Sequence, residues 1–188
     1  VATSCPSRTA EGVVHAAQSS YMAQQFASRL GISPASASTV DFGTLVKLDM
    51  DTDMLAKIVL EEDRAGFSVG VLAARGVPDA TLTASDAHKT AAQRLFSLSG
   101  SDSDPRQKVY AVDRLIENPQ TVQDPATGLE TPTIAAIEMN CARSYLTALS
   151  DSKHISRNTL AWLADTAKAR VWHAYELGYP LLDEAMLT

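Results

Sequence analysis

The fold is decided by residues 131–150, TPTIAAIEMNCARSYLTALS, in which apolar side chains recur at intervals of three and four positions. This interval places them on one face of an α-helix, whereas a strand would alternate every second residue. Thr131 and Pro132 form a typical helix start, because a hydroxyl caps the first turn and proline fits the first helical position. The apolar stripe consists of Ile134, Ile137, Cys141, Tyr145, Ala148 and Leu149. The stretch therefore predicts an amphipathic helix that packs against other helices.

Patterns of the same period predict helices on both sides of this stretch. Their ends are marked by glycine after the last turn, and by capping oxygens or proline before the first. We expect helices at about residues 9–30, 52–66, 83–98, 105–117, 132–150 and 156–178. Residues 67–72, FSVGVL, alternate like a short strand, for which residues 40–48 are the only candidate partner. The expected fold is mainly α, an irregular bundle of about five to seven helices with at most a minor two-stranded element.

The length of 188 residues favours one helical domain spanning residues 1–188. We expect residues 1–8 to form an N-terminal arm, and residues 119–130, which contain two prolines and a glycine, to form an exposed loop. The two cysteines, Cys5 and Cys141, either form a bridge or leave Cys141 as a small buried apolar residue. Two cysteines do not indicate a disulfide scaffold. A cytoplasmic or virion-like location is therefore favoured, with a processed secreted or periplasmic form as the alternative.

The charge balance argues against two classes of partner. The formal net charge is −6, whereas phosphate backbones and anionic lipids attract clustered Lys and Arg, so nucleic acid is disfavoured. Apolar runs fall short of the roughly 20 residues that cross a bilayer, so we expect no membrane span. Residues 1–11 lack the basic-then-apolar pattern of a signal peptide, and any export signal is expected to be absent or already removed.

Three alternating acids, Asp49, Asp51 and Asp53, resemble the first ligands of a calcium-binding loop. The rest of the loop pattern is missing. Met54 occupies the position where the sharp turn requires glycine, and Leu60 occupies that of the closing bidentate acid. We therefore interpret these acids as residues that stabilise a helix N-terminus.

Residues 27–34, ASRLGISP, resemble the helix and turn of a bacterial helix-turn-helix DNA-binding domain. The resemblance covers eight residues only. The following residues 35–46 contain no Lys or Arg to contact phosphates or guanine edges. A DNA-binding regulator therefore remains an alternative to the preferred function, not the preferred function itself.

No metal, cofactor or catalytic site is expected from the sequence motifs. His173 and Glu176 lie one helical turn apart, but their order reverses the Glu-x-x-His pattern of carboxylate-bridged bundles, and no second pair matches. The acidic run 61–63 reads as exposed surface. There is neither a nucleophile elbow nor a phosphate-binding glycine loop, so a non-enzyme is favoured. The histidines are widely separated, at His15, His88, His154 and His173.

Two residues break the apolar pattern of their helices. Glu138 falls inside the stripe of residues 131–150, so it either pairs with a basic residue from another helix or protrudes at the margin of the stripe. Trp162 projects away from the stripe of the last helix, so it is covered by a second layer or contacts another chain. Together with Trp172 and His173 on the same helix, Trp162 is a candidate for a partner interface.

These observations favour a non-enzymatic structural or assembly subunit that acts through protein contacts. Such a subunit would build a particle, a filament or a secretion apparatus, and self-association is the expected partnership. The alternatives are a helix-turn-helix DNA-binding regulator, and a small-ligand-binding helical protein or enzyme whose site assembles from distant residues.

Overall fold

The computed structural model describes residues 8–33, 39–43, 45–151 and 155–181. The described residues form six helices and one two-stranded antiparallel sheet, which confirms the expected mainly helical bundle with a minor strand pair. None of the described helices combines the length and the apolar character needed to cross a membrane. The helices are α1 (Thr9–Arg29), α2 (Thr52–Ala74), α3 (Leu82–Ser99), α4 (Asp113–Glu117), α5 (Thr133–Asp151) and α6 (Arg157–Glu176), and the strands are β1 (Thr121–Gln123) and β2 (Glu130–Pro132).

The core lies between the long helices. Helix α2 packs on α3 and α5, α5 packs on α6, and α1 covers α6. The main apolar cluster joins residues of all five long helices, among them the fully buried Ile58, Leu95, Tyr145 and Leu163. Since burial of apolar surface is the dominant favourable term in folding, this shared core joins the helices into one bundle.

Helix α2 is longer than its sequence pattern indicates. We expected it to end near Gly66 and considered residues 67–72 as a candidate for a short strand, but the helix continues to Ala74. Val69 and Leu72 are fully buried and pack against Ile134 of α5, so they extend the helical stripe. The strand prediction is wrong because Gly66 lies where α3 passes close to α2 and does not end the helix.

Replacement of Gly66 by alanine tests this close approach. A Cβ at residue 66 would lie 2.9 Å from the Ser85 carbonyl oxygen and 3.1 Å from the Lys89 amide nitrogen, and neither backbone atom can move without moving α3. We expect Gly66→Ala to lower the free energy of unfolding by about 2 kcal/mol, even though alanine is the better helix former. Urea denaturation measures the change.

Gly70 provides the matched control for this substitution. A Cβ there would approach only the Ser85 side-chain oxygen, at 3.0 Å, and a side chain can rotate. Gly70→Ala should therefore cost less than Gly66→Ala. Equal stability of Gly66→Ala and the wild type would show that the two helices are not held this closely.

The segment before α4 is mostly irregular, although the sequence predicts a helix over residues 105–117. Only Asp113–Glu117 is helical. Side-chain oxygens of Ser101 and Asp104 accept hydrogen bonds from nearby backbone N–H groups, which competes with helix formation. Tyr110 then holds the segment against α2, because its hydroxyl donates to Asp63 at 2.6 Å.

Residues 119–130, expected to be an exposed loop, contain β1 and lead into β2 of a hairpin. Val122 pairs with Thr131 at its centre. Most of the hairpin lies at or near the surface, but Asp124 is buried, forms an ion pair with Arg143 of α5 at 2.7 Å and accepts a hydrogen bond from Tyr179. The strand pair therefore occurs here and not at residues 40–48 and 67–72.

Candidate functional site

Four helices each place one ionisable side chain at the centre of the bundle. The helical period turns these residues inward: Glu62, for example, lies one turn after the fully buried Ile58. The three residues from α2, α3 and α5 are at most 2% exposed, and the α6 side chain is 14% exposed. The buried ion cluster, as we call it, consists of Glu62 (α2), His88 (α3), Glu138 (α5) and Arg170 (α6).

His88 lies between the two carboxylates. Its Nδ1 is 2.7 Å from Glu62 Oε2, and its Nε2 is 2.8 Å from Glu138 Oε1. A carboxylate accepts hydrogen bonds, so both ring nitrogens donate and the ring is an imidazolium. Burial and the charge of Arg170 oppose protonation, but hydrogen bonds with Cys141, Glu138 and Glu62 outweigh them and hold the pKa of His88 well above its ordinary value.

Arg170 links the same two carboxylates from the other side. Its Nη2 donates to both oxygens of Glu62, at 2.9 and 2.8 Å, and its Nη1 donates to Glu138 Oε2 at 3.3 Å. Tyr145 adds a hydrogen bond to Glu62 Oε1 at 2.7 Å. Two negative and two positive charges therefore cancel inside the core, where an unpaired charge would be strongly destabilising.

Both carboxylates remain ionised in this setting. Burial by itself raises the pKa of Glu138, but attraction to Arg170, together with the hydrogen bond from His88, lowers it to about 2. The same opposing effects leave the pKa of Glu62 below its ordinary value. The buried ion cluster is thus charged and internally neutral at physiological pH.

Cys141 adds a sulfur atom beside this cluster. Its Sγ lies 3.9 Å from His88 Nδ1 and 3.5 Å from the Glu61 backbone oxygen. Burial, followed by the nearby negative charge of Glu62, raises the pKa of Cys141 to about 12, so the group is a thiol. A carboxylate oxygen of Glu62, Nδ1 of His88 and Sγ of Cys141 lie within 4.8 Å of one another, and this set of donors can bind a metal ion.

A surface cavity of about 300 Å³ lies against the buried ion cluster. Phe42 lines one side, and Arg170, His173 and Glu176 of α6 line another. Arg170 therefore contacts the buried carboxylates and the cavity at once. His173, whose Nε2 is 3.8 Å from Glu138 Oε1, lines the same cavity.

The structure brings together two of the predicted site residues. Glu138 is buried and pairs with Arg170, the basic residue from another helix, and so does not protrude at the margin of its stripe. His173 is 46% exposed, with Nε2 at 3.8 Å from Glu138 Oε1 and Nδ1 at 3.3 Å from Glu176. His173 is thus at the edge of the cluster and within reach of solvent.

The two tryptophans contact their own chain. Trp162 is half-buried, with Phe42 at 5.6 Å and Tyr145 at 6.0 Å between ring centroids, so a loop supplies the second layer that covers it. Trp172 is 5% exposed and meets Tyr21 edge-on at 5.7 Å, which leaves it little surface to offer a partner. An interface role for Trp162 stays a prediction.

Sequence reasoning missed three members of the buried ion cluster. The run 61–63 was expected to be exposed surface, yet Glu62 is fully buried. His88 and Arg170 are likewise polar residues at stripe positions, with Ala91 following His88 by three residues and Ala167 preceding Arg170 by three. Acidic and basic residues on the inward faces of different helices were the available signal.

The weaker motifs are also placed by the structure. Asp51 is the N-cap of α2 and accepts hydrogen bonds from the Asp53 and Met54 backbone N–H groups, as expected for acids at a helix start. The described part of the candidate recognition segment, residues 39–43 and 45–46, contains no helix. Cys5 and the bridge considered for it lie outside the described residues, as does His154.

A second feature lies at the surface, on the second half of α1. The buried residues of α1 all lie at or before Ala17, and Tyr21 makes its last aromatic contacts, with Trp172 and Tyr175. Beyond it, large apolar side chains are 42 to 73% exposed. The α1 tip, as we call this surface, consists of Met22, Phe26 and Leu30 at intervals of four residues, followed by Ile32.

Fold and site together define a mainly helical bundle with a neutral ion cluster at its centre and an apolar helix end at its surface. Comparisons of the chain with protein-family models, with curated proteins and with solved structures find no match.

Proposed function

We propose that this protein is a non-enzymatic assembly subunit that binds a second copy of itself through the α1 tip. The observation that carries the proposal is the exposure of four large apolar side chains at one helix end. Phe26 is 56% exposed and Leu30 is 73% exposed, although the same chain buries similar residues elsewhere. Contiguous apolar surface of this kind marks protein contact sites.

The spacing of the α1 tip is self-complementary. Met22 lies four residues before Phe26, and Leu30 lies four residues after it. The three side chains therefore share one helix face, with Phe26 in the middle. Two copies of α1 that pair antiparallel about a two-fold axis at Phe26 bring Met22 of each copy opposite Leu30 of the other. Such isologous contacts are the commonest way in which soluble proteins form oligomers.

The charge distribution also favours a second copy as the partner. The chain carries a formal net charge of −6, which opposes association in general. Between Met22 and Ile32, however, Arg29 is the one charged side chain, and in the antiparallel pairing it lies opposite Ala23 of the other copy, so two tips meet without repulsion between like charges.

The size of the α1 tip limits the expected affinity. Four side chains cover less than the roughly 800 Å² per partner of a standard interface, so we expect a dissociation constant on the order of 10 µM. Association of this strength is concentration-dependent. It suits a subunit that assembles where many copies are held together.

Sedimentation equilibrium between about 1 and 100 µM protein tests the proposal. The wild type should move from monomer toward dimer across this range, whereas Phe26→Ser should remain monomeric, because a central apolar residue is lost from the interface. Val46→Ser is the matched control: Val46 is 82% exposed but lies in a loop outside the α1 tip, so this variant should associate like the wild type. A wild type that is monomeric at 100 µM, or dimers that persist in Phe26→Ser, would contradict the proposal.

A further inference from the structure

We propose that Glu62, His88 and Cys141 form a binding site for one divalent transition-metal ion of the Zn²⁺ class. The proposal is independent of self-association, because these residues lie in the core and the α1 tip lies at the surface. Three helices supply the ligands: α2, α3 and α5. Helical bundles build metal sites in this position, from inward side chains on facing helices.

The donor set selects the class of metal. One carboxylate oxygen, one imidazole nitrogen and one sulfur lie within 4.8 Å of one another. Oxygen donors alone would favour Ca²⁺ or Mg²⁺, whereas imidazole and thiolate favour Zn²⁺ and related ions. The Cys141 thiol donates to the Glu61 backbone oxygen at 3.5 Å, which fixes the position of its sulfur beside α2.

The residues around the three ligands already orient them for a metal. Glu138 accepts the hydrogen bond from His88 Nε2 at 2.8 Å, which leaves Nδ1 as the nitrogen that faces Cys141. Carboxylate–histidine–metal arrangements of this type fix the ring and increase its basicity. Tyr145 and Arg170 hold the Glu62 carboxylate in the same way.

The convergence of the donor atoms is the strongest argument for the site. Three different helices bring one oxygen, one nitrogen and one sulfur within 4.8 Å of one another, and a second buried carboxylate, Glu138, lies 2.8 Å from the other ring nitrogen of His88. Binding of a divalent ion to His88 Nδ1 and Cys141 Sγ displaces one proton from each atom to solvent. Two positive charges enter the core and two leave, so no unpaired charge is buried.

The geometry needs only small adjustments. Tetrahedral Zn²⁺ with bonds of about 2.0–2.3 Å separates its ligand atoms by roughly 3.4–3.7 Å. The Glu62–His88 contact of 2.7 Å must open by less than about 1 Å, and the 3.9 Å between Cys141 Sγ and His88 Nδ1 must close slightly. The Glu62 oxygen and Cys141 Sγ lie within 4.8 Å of each other and must approach by up to about 1.3 Å.

Titration of the 188-residue chain with Co²⁺ and Zn²⁺, after treatment with EDTA, tests the site. We expect one Co²⁺ per chain, a thiolate-to-cobalt charge-transfer absorption, and displacement of Co²⁺ by Zn²⁺. Calorimetry in buffers of different ionisation enthalpy should show two protons released for each metal ion bound. Cys141→Ala should abolish the absorption and weaken binding by more than about 100-fold.

Two variants control for other ligands. Cys5→Ser removes the other thiol, and His15→Ala removes an exposed histidine of α1; both should bind like the wild type. Cys141→Ala keeps a small apolar residue at a buried position and should therefore fold, which circular dichroism verifies. Absence of stoichiometric binding, binding without the thiolate absorption, or unchanged affinity in Cys141→Ala would each overturn the proposal.

Discussion

Replacement of Arg170 by methionine should lower the free energy of unfolding of the metal-free protein by about 3–5 kcal/mol. Methionine fills a similar volume, so the loss reflects charge and not a cavity. Without the guanidinium, Glu62 and Glu138 keep only the imidazolium of His88, and one buried negative charge is left uncompensated. Urea denaturation measures the difference.

Arg157 is the matched control on the same helix. Its side chain is exposed at the start of α6, and Arg157→Met should change stability by less than about 0.5 kcal/mol. A loss in Arg170→Met no larger than in Arg157→Met would mean that Arg170 does not pair with the carboxylates. A double variant, Arg170→Met with Glu62→Gln, should recover part of the loss because it removes the uncompensated charge.

The second large effect is a dependence of stability on pH in the presence of EDTA. The pKa of Glu138 falls from an ordinary 4.5 to about 2 on folding, so its contribution is present above pH 4.5 and disappears as the pH falls toward 2. A shift of this size corresponds to about 3 kcal/mol. Glu138→Gln should therefore be less stable than the wild type at neutral pH, and its free energy of unfolding should fall less steeply as the pH drops from 4.5 toward 2.

His88 makes the stability depend on pH in the opposite sense, with a loss as the pH rises. Its pKa rises well above the ordinary 6.5, so its contribution is complete below pH 6.5 and is lost as the pH rises through the folded value. The metal-free protein should be most stable between about pH 4.5 and 6.5. His15→Gln, at an exposed position of α1, should leave the profile unchanged. A flat profile from pH 5 to 9 would mean that His88 is neutral in the folded protein.

The starts of α3 and α6 are predicted well because their determinants are local. Thr81 caps α3 by accepting from the Ala84 N–H, and Ser156 caps α6 by accepting from the Thr159 N–H. The starts expected at Pro105 and at Thr131–Pro132 are wrong, since α4 begins at Asp113 and Thr131–Pro132 belongs to β2. The stop expected at Gly66 was wrong because a helical glycine also permits close packing of a neighbouring helix. That distinction depends on where α3 lies, which no local pattern contains.

The candidate site is harder to predict for the same reason. Glu138 was recognised as a carboxylate inside an apolar stripe, but its partner was not. Residues that meet in the buried ion cluster are separated by 26 positions for Glu62 and His88, and by 32 for Glu138 and Arg170. The apolar pattern of each helix shows only that this helix buries a polar residue. Which polar residues pair depends on how the four helices are rotated about their axes.

The proposed metal site has a further local signal. Glu138 and Cys141 lie three residues apart on α5, so the proposed ligand Cys141 shares a helix face with the carboxylate that accepts from His88. This signal is hidden in the sequence because Cys141 also fits an apolar stripe. Burial by neighbouring helices distinguishes a ligand from a packing residue here.

Pairing of two chains through the α1 tip is tested most directly by intermolecular nuclear Overhauser effects in a mixed sample. Half of the chains carry ¹³C, the other half do not, and an isotope filter selects contacts between copies. Met22 and Leu30 lie about 12 Å apart along one helix, too far for such an effect within a chain. At a concentration of several hundred micromolar, we expect cross-peaks between the Met22 methyl of one copy and the Leu30 methyls of the other. Cross-peaks confined to other surfaces, or none between copies, would contradict the account.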